Sequence, residues 1–266
     1  MIEGLKDKVV IVTGGGHGIG KAYCLGFGRS GSRVVVADID RPAADKVSAE
    51  IVQQTGAHAL ALHTDVADER STKGMADVVL QRFGRIDVLI NNAAIFATIP
   101  MNRGRIETID PAEWDRLMAV NLKGLFFCCR AVLPSMRAQK SGKIINIASG
   151  TVFAGSPGRI HYVTSKTATI GFTRTLAREV GDDKINVNGG ADQTVTFTNT
   201  AGAGNVSTIA EFNTWLEITG VGATVDAMPR NRRWLSSRAG SASIAIIVNS
   251  VAASMLFAAA AFSACA

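Results

Sequence analysis

Val9-Val-Ile-Val-Thr13 runs directly into Gly14-Gly-Gly-His-Gly-Ile-Gly20, and this stretch sets the reading of the whole chain. A short run rich in β-branched residues suits a strand buried on both faces, as in a parallel sheet. The glycines that follow let a negatively charged group approach the backbone. The helix they open offers unpaired N–H groups and the positive end of its dipole. Gly14, Gly18, Ile19 and Gly20 are therefore candidate contacts for a pyrophosphate, with a plain strand-to-helix connection as the alternative. Asp38 adds weight to the first reading. It ends the next apolar run 18 residues after Gly20, near the spacing at which a carboxylate accepts hydrogen bonds from an adenosine ribose.

The pattern repeats on either side of Asp38. Apolar runs at Val9–Thr13, Arg33–Asp38, Ala59–His63, Ile86–Ile90, Lys143–Ala148 and Lys184–Asn188 alternate with helix candidates at 18–30, 42–55, 68–83, 112–138 and 161–180. Such alternation predicts an α/β fold, a doubly wound parallel sheet of the Rossmann-like kind in a single domain. With 47% hydrophobic and 19% charged residues, the 266-residue chain is neither disordered nor a disulfide scaffold. Its net charge of +6 is spread rather than gathered in a basic stripe, so no nucleic-acid partner is expected. The four cysteines and four histidines show no metal-ligand spacing, and no metal is expected. The first residues, Met1-Ile-Glu-Gly-Leu-Lys-Asp-Lys8, lack the basic-then-apolar layout of a signal peptide, which makes the cytoplasm the expected compartment.

Tyr162-Val-Thr-Ser-Lys166 is the second constellation. Residues four apart share a helix face, so the Lys166 ammonium can favour the ionised phenol of Tyr162, and a phenol lowered towards neutrality can exchange a proton with a hydroxyl or carbonyl. A solvated helix face is the bland alternative.

Taken together, Thr13 to Gly20, Asn91-Asn92-Ala93-Ala94, and Ser149 with Tyr162 and Lys166 resemble the short-chain dehydrogenase/reductase family over about residues 5–188. Ala94 stands where that family usually has Gly. The resemblance implies a nicotinamide cofactor and a secondary alcohol or ketone as small-molecule substrate. It implies Tyr162 as general acid/base, Lys166 as its electrostatic partner and ribose ligand, and Ser149 as holder of the substrate oxygen. Asn121 would join a proton relay. Asp65 and Val66 would meet the adenine, and Asn92 and Ala93 would lie along the cofactor. It also implies a homo-oligomer, a tetramer or dimer, joined through the helices at 112–138 and 161–180. Asp38 favours NAD over NADP, although Arg41 and His17 lend some basic character nearby. Ile95, Phe96, Val152, Phe153 and His161 flank the expected site and favour a hydrophobic substrate over a sugar or a charged acid. The rival reading is a dinucleotide-binding regulator without turnover.

After Asn188 the composition changes. Residues 1–188 hold 42 charged side chains and residues 189–266 hold 8, and the final 28 residues carry none. Neither the Pro-Gly turn nor the Asp-Gly-Gly element of the resembled family occurs there. Residues 1–188 thus read as the dinucleotide-binding and catalytic core, and 189–266 as an atypical substrate-lobe segment of the same domain. A membrane anchor, for which the charge-free run is long enough, and an altered reading frame are the two other readings.

Overall fold

In the computed structural model, which describes residues 4–96 and 99–188, six parallel strands form one sheet in the order β3-β2-β1-β4-β5-β6. They are β1 Val9–Thr13, β2 Arg33–Asp38, β3 Ala59–His63, β4 Val88–Asn91, β5 Gly142–Asn146 and β6 Ile185–Val187. Helices α1 Gly18–Arg29, α2 Arg41–Thr55, α3 Glu69–Phe83, α4 Pro111–Met118, α5 Gly124–Gln139, α6 Thr151–Ala154 and α7 Ile160–Val180 provide most of the connections. This is the expected doubly wound architecture.

Alternation along β1 splits the core in two. Val10 and Val12 face α1 and α2, packing on Tyr23, Phe27, Val47 and Ile51. Val9 and Ile11 belong to the opposite cluster, with Met75, Val79, Cys128, Val132, Met136 and Val180 from α3, α5 and α7. Successive strand side chains point to opposite faces, so a strand covered by helices on both sides must be apolar throughout. The strand order reverses at β1, whose neighbours are β2 and β4, and such a switch point opens a crevice at the carboxyl ends of the strands.

Helix starts are set by short polar signals. Asp40, Asp68 and Asp110 cap α2, α3 and α4 by accepting from Ala43 N, Arg70 N and Ala112 N at 3.1, 2.9 and 2.8 Å. Helix α1 differs: His17 at its N-cap makes no capping hydrogen bond, and no acid stands in its first turn.

Three predicted elements depart from expectation by more than a single residue. The single helix predicted over 112–138 is two helices joined by a π-turn at Ala119–Lys123, where the Gly124 N–H bonds to the Ala119 carbonyl. The strand predicted from Ile86 starts at Val88, because the Gln139 side chain takes both backbone groups of Ile86, at 3.0 and 2.9 Å. The strand predicted to reach Ala148 ends at Asn146, and the Ile147 carbonyl turns to a lysine on α7.

Candidate active site

The glycine turn is held in place by its neighbours. Thr13 Oγ1 accepts from Asn92 N at 3.1 Å and Ala93 N at 3.2 Å, while Asn92 Nδ2 donates to the Thr13 and Gly14 carbonyls at 3.0 and 3.1 Å. The Asn92 side chain therefore braces the loop, and only its backbone remains to line the crevice. Gly14 has φ +64°, and a Cβ at Gly20 would collide with the Gly14 carbonyl oxygen, so no other residue fits there. Gly18 has open space where a side chain would be. Ile19 is half-buried behind it.

Asp38 is buried, and its two oxygens accept from Gly16 N at 2.8 Å and Asp40 N at 2.9 Å. The strand-end carboxylate thereby clamps the glycine turn to the start of α2. Asp65 Oδ1 accepts from Ala67 N at 2.9 Å, and Val66 is buried against Gly124.

At the ends of β4 and β5 the second constellation assembles. The buried Lys166 ammonium donates to the Ile147 carbonyl at 2.8 Å, and burial lowers its pKa to about 8. Tyr162 is buried on the same helix face, and burial pushes its phenol above the ordinary value; the nearby Ser149 hydroxyl and Arg159 guanidinium pull the other way. The net direction is upward, and the ammonium is bound to the Ile147 carbonyl. Ser149, just beyond β5, lies 3.0 Å from Thr151 Oγ1. Phe96 stacks on Tyr162 with centroids 4.7 Å apart, and Arg159 lies 5.4 Å from the Phe96 centroid.

Asn121 sits in the π-turn, a place where an extra helical residue often marks function. Its Oδ1 accepts from Ile95 N at 2.8 Å and its Nδ2 donates to Ser165 Oγ at 3.2 Å. The side chain is committed to bracing the segment after β4, which leaves the backbone for any relay. Thr13, Asn91, Ala93, Asn121, Ile147 and Lys166 line a small cavity.

The model of the short chain dehydrogenase family matches residues 8–207, about three quarters of the chain. This chain belongs to that family. It is 39% identical over 185 residues to a 3-oxoacyl-[acyl-carrier-protein] reductase of Synechocystis sp., covering 69% of this chain and 72% of the relative. It is 35% identical over 184 residues to a cyclopentanol dehydrogenase of Comamonas testosteroni, covering 69% and 71%. The crystal structure of an NAD+-bound xylitol dehydrogenase superposes with a TM-score of 0.66 at 31% identity, covering 70% of this chain and 69% of that one.

As a short-chain dehydrogenase, the chain is an oxidoreductase of alcohol and carbonyl groups with a nicotinamide dinucleotide cofactor. The residues present fit that cofactor: the uncapped start of α1 and the open space at Gly18 leave an anion-sized cradle, and Asp38 stands at its rim. Several supporting groups of this dehydrogenase escape sequence reasoning. The Ile147 carbonyl carries no side-chain signal, and the Asn91–Asn146 amide pair, 2.9 Å apart, joins residues 55 positions apart. His161, expected beside the substrate, is wholly buried, and among the described residues neither of its ring nitrogens has a partner. The expected Pro-Gly turn position and the anchor-length run both lie outside the described residues.

Proposed function

We propose that this protein is an NAD-dependent oxidoreductase that interconverts a secondary alcohol and a ketone, with Tyr162 as general acid/base. The observation that supports the reading is that Tyr162, beside Ser149, shares α7 with Lys166, whose ammonium lines a cavity with Thr13 and Asn91 at the carboxyl ends of the strands. The Gly14–Gly20 turn and α1 would hold the pyrophosphate, Asp38 a ribose, and Lys166 the second ribose. Bound there, the nicotinamide supplies or accepts the hydride.

In reduction, the substrate carbonyl oxygen rests between the Ser149 hydroxyl and the Tyr162 phenol, and the phenol donates its proton as charge develops on that oxygen. The raised phenol remains protonated at neutral pH, ready to donate. In oxidation the flow reverses, and the nearby Arg159 charge favours the phenolate.

Preference for NAD over NADP draws support from charge. Asp38 and Asp40 stand together at the ribose end, Arg41 is held by Asp45 at 2.9 Å, and His17 lies 3.0 Å from Asp40. A 2′-phosphate would meet carboxylates and find these basic groups already paired. Phe96 and Phe153, both exposed, supply an apolar surface for the substrate body. A cytoplasmic homo-oligomer fits the buried free cysteines and the 43% exposed Phe126 on α5.

Titration of NADH by fluorescence, followed by a screen of alcohols and ketones on the intact chain, tests the proposal. Turnover with NAD(H) is expected; dinucleotide binding with no turnover across a broad panel would replace it with the regulator reading.

A further inference from the structure

Among the described residues Arg159 makes no ion pair with any carboxylate, whereas Arg116, on α4, is paired with Glu113 at 2.8 Å. Glu113, the acid that acts on His161 at this end of α7, is therefore already neutralised, and Asn102 N–H donates to its other oxygen at 3.1 Å. Arg159 is half-buried, and its backbone is fixed on both sides: its N–H bonds to the Ser156 carbonyl at 3.1 Å, and its carbonyl accepts from Val163 N at 3.0 Å. It precedes the first turn of α7, where a cation is repelled by the helix dipole, so helix stability gives no reason for its charge.

Its side chain points to the reacting end of the site. The guanidinium carbon is 5.4 Å from the centre of the Phe96 ring, and that ring is 4.7 Å from the ring of Tyr162, so Arg159 is no farther from Tyr162 than those two steps together. Beside it runs an apolar wall: Ile95, Met101, Leu117 and Tyr162 form one packed cluster, with Ile99, Val120 and Val163 against it, while Arg103 approaches Gly158. A guanidinium without a carboxylate partner, next to an apolar wall and a proton-transfer group, favours an anion on the molecule that fills the space.

We propose that Arg159 anchors a carboxylate carried by the substrate a few carbons from its reacting carbon, so that the enzyme acts on hydroxy acids and oxo acids ahead of neutral alcohols and ketones. This rests on the oxidoreductase reading above and changes one part of it: the apolar wall holds the substrate body, and Arg159 holds its charged end. The guanidinium fork matches a carboxylate in two parallel hydrogen bonds, which fixes the orientation of the carbonyl towards Tyr162 as well as its affinity.

Short 3- and 4-oxo acids and their methyl esters, compared pairwise with NADH on the full chain, test the proposal. The parent is expected to favour acid over ester in kcat/KM by about tenfold or more, consistent with one charged contact. Arg159→Gln should bring the ratio close to one, and Arg159→Lys should keep part of it. The ratio is the readout because Arg159 also influences the Tyr162 phenol, so its removal alters turnover of both partners of a pair. A parent ratio at or below one, or a ratio unchanged in Arg159→Gln, overturns the proposal. Saturation-transfer NMR of the same acids and esters separates this from failure of the oxidoreductase reading. Acid binding that disappears in Arg159→Gln, with no NADH oxidation, keeps the anchor and removes the reaction; equal turnover of acid and ester keeps the reaction and removes the anchor.

Discussion

Replacing Asp38 by Asn alters a single charge at a buried position where both carboxylate oxygens are occupied. One accepts from Gly16 N at 2.8 Å and the other from Asp40 N at 2.9 Å. An amide has one acceptor, so whichever way it turns, its NH2 faces one of these backbone donors. One N–H is then left unpaired, that of buried Gly16 or of exposed Asp40, at a cost of about 1–3 kcal/mol that is greatest at Gly16, and the surviving bond falls from a charge-assisted to a neutral one, about 1 kcal/mol weaker. Asp38→Asn should therefore unfold in urea with about 2–4 kcal/mol less stability. A loosened glycine turn weakens NADH and NADPH alike, so the damage cancels in the ratio of their dissociation constants. That ratio reads the carboxylate itself: losing its repulsion of a 2′-phosphate and its bonds to ribose hydroxyls should narrow an NADH preference about tenfold or more. Fluorescence titration of both dinucleotides against parent and variant measures it. An unchanged ratio, or a parent that binds NADPH more tightly, refutes the reasoning.

Tyr162→Phe keeps the ring that stacks on Phe96 and removes the proton, so kcat should fall roughly 10²–10⁴-fold in an alcohol or ketone assay while NADH affinity holds. Lys166 releases its proton at about 8 in the folded chain, against 10.5 for the ordinary side chain. Between those values the unfolded chain holds a proton that the folded chain has lost, so the stability of the parent rises with pH there, by up to about 1.4 kcal/mol per unit. Urea melts at successive pH values should show that gain missing in Lys166→Met. Gly20→Ala would push a methyl into the Gly14 carbonyl, and should cost about 1–3 kcal/mol in thermal or urea unfolding while abolishing NADH binding.

What the sequence made legible was local. The glycine turn, Asp38, and Tyr162 with Lys166 are spelled by contiguous or helix-spaced residues. What stayed hidden depends on partners far along the chain. The π-turn around Asn121 is tied to Ile95, 26 residues away, and β4 begins where it does because of Gln139, 53 residues from Ile86. Helix spacing places Lys166 beside Tyr162, but it cannot tell that the Ile147 carbonyl, 19 residues away, takes the ammonium. Arg159 gives no motif at all, and only its place against Phe96 singles it out.

Asn188 closes the far side of the site in an unusual way. At φ +49° it no longer extends β6, yet its amide oxygen accepts from Asn146 N at 2.7 Å and its amide nitrogen donates to the Asn146 carbonyl at 3.0 Å. One side chain thus stands in for the strand that would otherwise continue alongside β5. Among the described residues, the last rung beside Ile147, and through it the seat of Lys166, is made by a side chain instead of a strand. The edge is buffered there: a single amide, turned back on the sheet, finishes the backbone pairing of β5.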